Sequence, residues 1–413
     1  MKIAMFADSF FPRINGVSVS MLSFARELVK RGNEVCIVCP NYNTKRNSRH
    51  KNLNVKSYSE ILEYEGHNIY VFRAASDNII WSDEDRYAKY TSWHAIKSYL
   101  DNFKPDVIHV NSEYVMGRFG SHYAKHRHLP LVYTFHTYWE EYCEQYAKFA
   151  PKAISRFYGR EISLYLLRRA DYIIAPTIRF QELIKNYGFS DNVIVLPTGI
   201  SSEISIYDDK KATRFFNHIH KLFPVVKKKP ILLYVGRVAA EKNLYFLLDM
   251  LGEVRKTVKD AVLVIVGDGG ELPALKAKAS KLPYSWNICF TGYCNRDELA
   301  YYYKMADVFV FPSLTETQGL VTLEAMTIGL PVVAIGEMGT LDVMQGDNGG
   351  FMVKNDLQEF SQKVIALLQD KELHEQKSKE AVEWSKKWSI TETTDKLIAV
   401  YEKAINSHLK TKA

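Results

Sequence analysis

The stretch ILLYVGRVAAEKNLYFLLDMLGEVRKTVKDAVLVIVGDG, residues 231–269, carries the clearest mark of the fold. It opens on the apolar run ILLYV and closes on AVLVIV. Both runs are apolar at every position instead of alternating, the mark of parallel strands covered on both faces. Between them, LYFLLDMLGEVRK places apolar residues at spacings of three and four, the pattern of an amphipathic helix. Strand, helix and parallel strand form the repeating unit of a doubly wound α/β domain.

The same alternation extends in both directions. Upstream lie the runs KIAMFAD, EVCIVCP, NIYVFR, DVIHVN, LVYTFH, YIIAPT and VIVLPTG, with helical patterns such as SMLSFARELVKRG between them. Downstream come ICFTGY, VFVFPS and PVVAIG. A chain of 413 residues is too long for one core. Residues 201–230 carry charge and little strand character, so a boundary is expected near 205. The expected organisation is one Rossmann-like domain over 1–205, a second over 206–385, and a C-terminal helix over 386–413 that packs back on the first. Ligands of such sheets bind beyond the carboxyl ends of the strands, which for two facing domains is a central cleft.

Composition narrows the function classes. A hydrophobic content of 47% and a charged content of 24% are ordinary for a globular protein. No apolar stretch approaches the roughly 20 residues of a membrane span. In MKIAMFADSF, a single lysine precedes a short apolar run that Asp8 interrupts, so it is not a signal peptide, and a cytoplasmic location is expected. Five cysteines, scattered and odd in number, argue against a disulfide framework. Cys36 and Cys39 form C-x-x-C inside an apparent strand, where residues three apart point to opposite faces; they read as buried strand cysteines.

The net charge of +7 is concentrated. The segment KRNSRHKNLNVK (45–56) has no acid, and KAISRFYGREISLYLLRR (152–169) has only Glu161 among five basic residues. Nothing resembles a nucleic-acid-binding signature, and no nucleic-acid partner is expected. An anionic membrane surface or a phosphate-bearing substrate fits the charge better.

In SLTETQGLVTLEAM (313–326), Glu316 and Glu324 flank Gly319 between a strand and a helix. A helix starting near Gly319 or Leu320 offers backbone N–H groups and the positive end of its dipole to a phosphate. Carboxylates on either side would accept hydrogen bonds from hydroxyls, as a sugar nucleotide supplies them. Alone, Glu316 reads equally as a solvated loop residue, and Glu324 as a helix-start carboxylate. Arg237 and Lys242, in GRVAAEKN after the run ILLYV, suit a pyrophosphate; surface charge is the plainer alternative. Asn15-Gly16 opens a helical pattern after the first strand and could present N–H groups to phosphate, or form only a tight turn. His136 ends LVYTFH at the rim where ligands bind and could contact a sugar hydroxyl or make a structural contact. His109, inside DVIHVN, reads as a packed strand residue. GDGGEL (267–272) lacks the third glycine of a dinucleotide fingerprint and reads as a turn.

Together these residues resemble glycosyltransferase family 4, the retaining enzymes of GT-B fold, over nearly the whole chain. The Glu-x7-Glu motif at Glu316 and Glu324 is the most specific match, with the Arg237/Lys242 pair, His136, the Gly16 loop and LPTGI (196–200) in the family's usual places. Thr198 stands where the family more often has Asn. The resemblance implies that Arg237 and Lys242 hold the donor's diphosphate with help from Gly16, that Glu324 binds the ribose, and that Glu316 with the backbone of Gly319 and Leu320 binds the hexose. His136 would contact the hexose and support an oxocarbenium-like transition state. The base would lie against residues 292–299, Cys294 among them. No metal and no cofactor beyond the UDP-sugar donor are implied.

A narrower resemblance is to the bacterial diacylglycerol glucosyltransferases, through FHTYWEEY (135–142), PTGI, EKN and ETQGL. It implies a UDP-sugar donor, most simply UDP-glucose, and a lipid acceptor. The protein would then be peripheral on the inner face of the membrane, with Arg156 and Arg160 against anionic lipid. The plainer alternative for 152–169 is a core helix with solvated arginines. Segment 41–67 departs from the family's usual short loop and could shape a different acceptor site. A soluble or protein-linked glycan acceptor, or an epimerase or hydrolase on the same plan, are the alternative functions; a non-catalytic relative would tend to have lost one of the two charged pairs.

Overall fold

The computed structural model describes residues 1–42, 56–79, 82–146, 151–200, 208–316, 318–337, 339–346 and 348–412. Residues 43–55 of segment 41–67, with them nearly all of the basic cluster 45–56, and residue 205 lie outside them. The chain forms two compact units: residues 1–199 together with 390–413, and residues 200–389.

In the first unit the strands are β1 (Lys2–Phe6), β2 (Glu34–Pro40), β3 (Tyr58–Tyr64), β4 (His67–Ala74), β5 (Ser76–Ile79), β6 (Ser82–Ala88), β7 (Val107–Val110), β8 (Leu131–Thr134), β9 (Tyr172–Ala175) and β10 (Val193–Val195). Eight of them build one sheet in the order β10-β9-β8-β7-β1-β2-β4-β3, parallel throughout except for the β3–β4 hairpin. β5 and β6 pair separately as an antiparallel ribbon. The order reverses between β1 and β7. That is the switch point at which the loops leaving adjacent strands part and open a crevice.

β3 is not among the sequence-expected strands. Its side chains alternate between half-buried and exposed along YSEILEY, as an edge strand's do, so it lacks the continuous apolar run that marked the others. Its core-side neighbours follow the expected pattern. β2 is buried from Val35 to Pro40, and both of its cysteines are buried thiols, Cys39 being pushed up to about 12 mainly by desolvation.

The helix Gly16–Lys30 begins with a reciprocal cap. Asn15 Oδ1 accepts from the Ser18 N–H (2.9 Å) and Ser18 Oγ accepts from the Asn15 N–H (2.9 Å). The C-terminal helix Ile390–Lys412 belongs to this unit and buries Leu397, Val400, Tyr401 and Ala404 in its core beside Leu28 and Val107. Gly199 makes room for it: a Cβ there would lie 2.2 Å from Thr393 Oγ1 and 2.4 Å from the Ile390 Cα.

In the second unit the strands are β11 (Ile231–Val235), β12 (Val262–Val266), β13 (Ile288–Gly292), β14 (Val308–Phe311), β15 (Val332–Ile335) and β16 (Gly350–Val353). They form one parallel sheet ordered β13-β12-β11-β14-β15-β16. β16, GFMV, is too short and Gly-flanked to stand out in the sequence. The order reverses between β11 and β14, so this unit too has its switch point beside its first strand. β11, β12, β14 and β15 are fully buried between helices, as uninterrupted apolar runs require. Two Rossmann-like α/β units with parallel sheets constitute the expected fold class.

Candidate active site

In the second unit, the loops leaving β11 and β14, with the helix that follows β14, carry most of the residues singled out above. Lys242 and Glu316 are brought together as an ion pair across the β11/β14 switch point, with only 15% and 17% of their side chains exposed. Asn243 Nδ2 donates to the Pro312 carbonyl (3.3 Å), tying the same two loops a second time. The Gly339 N–H donates to the Glu316 carbonyl (2.7 Å), which adds the loop after β15. Arg237 is exposed and pairs with Glu241, the first residue of EKN. Its loop is braced by the 267–269 turn. There the Val238 N–H donates to the Asp268 carbonyl (2.9 Å), and a Cβ on Gly267 would lie 1.9 Å from the Gly236 carbonyl oxygen. GDGGEL is therefore a turn whose glycines permit backbone contact.

Gly319 caps the helix Leu320–Thr327 in the left-handed region, at φ +72°. Its surroundings leave room for a Cβ, so the backbone angle is what calls for glycine. The same space is bordered by the hydroxyls of Thr322 and Thr340, each 3.7 Å from that hypothetical Cβ. Those two hydroxyls, and that of Ser313 in the loop after β14, are buried without a hydrogen-bond partner among the described residues. Buried polar groups are normally paired, so unpaired hydroxyls beside a helix N-terminus are available to a bound molecule.

Glu324 is only 3% exposed, and Tyr303 donates to its Oε2 (3.0 Å). Tyr303, from YYYKM in the preceding helix, had no sequence signal beyond being aromatic. Cys294 sits after β13 on the far side of β12 and β11 from the Lys242–Glu316 pair. Its half-buried thiol contacts the Asn295 carbonyl (3.1 Å) and is pushed up to about 12 by desolvation, so it remains protonated at neutral pH.

In the first unit, Gly16 is exposed at the start of its helix with open space around it. His136 lies two residues past β8, half-buried, with Nε2 3.3 Å from Asn111 Oδ1. Desolvation pushes it down to about 4, so the imidazole is neutral at physiological pH. His109 is structural, as expected: Nδ1 meets Tyr401 Oη and Nε2 meets Thr134 Oγ1, both at 2.7 Å. Two acids at this switch point, the half-buried Asp8 and the buried Glu113, carry no signal in the sequence. Asp8, after β1, accepts from Ser112 Oγ (2.6 Å) and from the Tyr114 and Met116 N–H groups (3.1 and 3.0 Å) at the start of helix Val115–Arg127. Glu113, after β7, accepts from Tyr133 Oη (2.5 Å).

The helix Lys152–Leu167 buries Ser155, Gly159 and Ser163 along one stripe and Leu164, Leu166 and Leu167 at its C-terminal end, and leaves Ile154, Phe157 and Tyr158 between 49% and 63% exposed. Its last turns are core, as in the alternative reading, while its first turns present an apolar face to solvent. Arg156 pairs with Glu140 and Glu144, and Arg160 lies over the Tyr187 ring (5.2 Å), so both cations already have protein partners. Among the described residues, no group of three or more His, Cys, Asp or Glu is arranged to hold a metal ion, and no helix is long and apolar enough to cross a membrane.

Two Rossmann-like units of this kind define the GT-B class of glycosyltransferase. HepE of Anabaena, solved with UDP and glucose, matches the fold with a TM-score of 0.74 at 18% identity, over 97% of this chain and 98% of that one. The family model described as Glycosyltransferase Family 4 matches residues 14–204, and that described as Glycosyl transferases group 1 matches residues 216–384. The chain belongs to this glycosyltransferase family and is an enzyme. It is similar to the alpha-monoglucosyldiacylglycerol synthase of Streptococcus pneumoniae, 28% identical over 81% of this chain and 71% of that protein. It is also similar to the GDP-mannose-dependent alpha-mannosyltransferase of Corynebacterium glutamicum, 25% identical over 84% and 76%.

Proposed function

We propose that the protein transfers a hexose, glucose, from UDP-glucose to a membrane lipid acceptor, diacylglycerol or a glycolipid, with retention of anomeric configuration. The observation that carries the donor half is the Lys242–Glu316 pair at the switch point, beside the helix that Gly319 opens. A diphosphate there meets Lys242, Arg237 and the helix N-terminus, all of which stabilise charge that grows as the UDP leaves. Glu316 and the Thr322 and Thr340 hydroxyls are suited to sugar hydroxyls. Glu324 is assigned to the ribose, and residues 292–299, including Cys294, to the base. Gly16 is assigned to the diphosphate and His136 to the hexose, where a neutral imidazole can share a hydrogen bond without repelling an oxocarbenium-like centre. The leaving phosphate takes the acceptor's proton.

The lipid half rests on Ile154, Phe157 and Tyr158, which share one exposed helix face flanked by Arg160. Apolar side chains on such a face bury themselves at a bilayer's headgroup boundary, and nearby cations favour anionic lipid. The name of the Streptococcus relative agrees with a glucolipid product; the mannosyltransferase relative keeps GDP-mannose as the competing donor.

The test is incubation with UDP-glucose, UDP-galactose or GDP-mannose and diacylglycerol vesicles, with products read by mass. A hexosyl-diacylglycerol formed from UDP-glucose, unaffected by EDTA, is the expected result. Product from GDP-mannose alone, transfer only to soluble glycans, or donor consumption without transfer would replace this reading.

A further inference from the structure

Residues 7–15 link β1 to the helix Gly16–Lys30 and so decide where Gly16 stands. Two bonds close this loop on itself: the Arg13 N–H donates to the Phe10 carbonyl (3.1 Å), and Asn15 Nδ2 donates to Ser9 Oγ (2.9 Å). Ser112, after β7, holds its base by accepting from the Asp8 N–H (2.7 Å). On the other side it is held by Arg73, near the end of β4. Arg73 Nη1 donates to the Phe11 carbonyl (2.6 Å), and the guanidinium lies 5.6 Å from the centre of the Phe10 ring. β2 stands between β1 and β4, so Arg73 reaches across the end of β2 to grip the loop that leaves β1.

The guanidinium is itself fixed. Nε donates to Glu60 Oε1 of β3 (2.8 Å), and Nη1 lies 3.3 Å from Cys39 Sγ of β2. Arg73 is 6% exposed. A cation is costly to bury, and an apolar side chain of the same reach would fill the place at lower cost. Pairing with Glu60 does not call for burial, since that carboxylate is a third exposed and reaches water. The bond that a buried apolar side chain could not supply is the one to the Phe11 carbonyl, inside the loop.

We infer that Arg73 is a positioning residue for Gly16: it fixes the closed loop whose last residue, Asn15, caps the helix that Gly16 opens, and so sets where the Gly16 backbone meets the diphosphate. This rests on the assignment of Gly16 to the diphosphate.

The test uses the full chain, with UDP affinity by calorimetry, UDP-glucose turnover on diacylglycerol vesicles, and hydrogen exchange by mass spectrometry. Arg73→Met keeps an unbranched side chain and removes the donors. It is expected to weaken UDP binding and lower kcat/KM for the donor together, by roughly five- to tenfold, and to speed exchange across residues 8–19 while β4 stays protected. Arg73→Lys, which keeps one charged donor, should recover part of both losses. Glu60→Gln loosens the far end of the guanidinium and decides the matter if Arg73→Met does not fold; a smaller loss of the same kind is expected, and no loss would overturn the inference. Gly16→Pro removes the N–H and fills the open space beside it. The helix tolerates proline there, because Asn15 before it is already extended (φ −154°, ψ 177°). In that background Arg73→Met should lose nothing further, because there is no Gly16 N–H left to place. Equal fold-losses in both backgrounds, or unchanged exchange across 8–19, would overturn the positioning role while leaving Gly16 in the site. If Gly16→Pro alone bound UDP and turned over normally, the assignment beneath it would fall, and this inference with it.

Discussion

Lys242 and Glu316 neutralise each other at the switch point of the second unit, and each removal exposes what the other was balancing. Glu316→Gln leaves Lys242 free to meet a diphosphate but offers an amide donor to a sugar hydroxyl. UDP affinity should hold while turnover falls by roughly ten- to a hundredfold, the value of one hydrogen bond to a charged group. Calorimetry with UDP alongside initial rates checks this, and unchanged turnover would take Glu316 out of the site.

Lys242→Ala does the opposite. It leaves a half-buried carboxylate facing the diphosphate, so UDP binding should weaken by at least about tenfold. Arg237→Ala should cost less, a few-fold, because that side chain is 44% exposed and its charge is screened by water. The order of the two affinities, measured on one preparation, is the check; a larger loss for Arg237 would reverse the assignment of the two cations.

Among the elements, the helix Lys152–Leu167 separates two jobs that one basic, apolar sequence left merged. Its buried stripe docks on the segment that opens the preceding helix, where a Cβ on Gly159 would lie 2.3 Å from the Trp139 carbonyl oxygen. Arg156 supports that docking through Glu140 and Glu144, so reversing it to Glu would set three acids together and disturb the fold. The exposed face is the better target for a test of membrane attachment. A triple replacement of Ile154, Phe157 and Tyr158 by Ser should leave the melting temperature almost unchanged, since these side chains are already in water. It should cut sedimentation with anionic vesicles by about tenfold or more, because each large apolar side chain transferred from water is worth about 1.5–3 kcal/mol. Vesicle binding that survives the triple change would remove this face from the acceptor reading.

Across the whole molecule, the chain leaves the first unit at residue 199 and returns to it at 390. The returning helix is part of that unit's core. Leu397 and Tyr401 are fully buried, and Tyr401 supplies the partner of the equally buried His109. Burying Leu397, Val400 and Tyr401 contributes several kcal/mol, a large share of the roughly 5–15 kcal/mol that keeps a domain folded. A chain ending at residue 389 should therefore lose the first unit's cooperative melting transition and yield little soluble protein. A truncated chain with the full-length melting profile would contradict that account.

Much of this molecule is legible in the pattern of residues along the chain. Strands buried on both faces must be apolar at every position, so the uninterrupted runs mark the two parallel sheets. The strand-to-helix loops mark where Gly16, His136, Arg237, Lys242, Glu316 and Gly319 stand. β3 stays hidden because an edge strand need not be apolar throughout, and β16 because four residues beside a glycine are too short a run to stand out. The α/β plan and the loops that carry polar groups are thus properties of the linear chain, since burial dictates composition locally. Four pairings are not: Lys242 with Glu316, Arg237 with Glu241, Tyr303 over Glu324, and Tyr133 on Glu113. They come from tertiary packing. Three of the four join residues from different strand ends or helices, and sequence periodicity holds no record of which loops a switch point brings face to face. The fourth, Arg237 with Glu241, lies within one loop, where no periodicity exists to say which way a side chain turns.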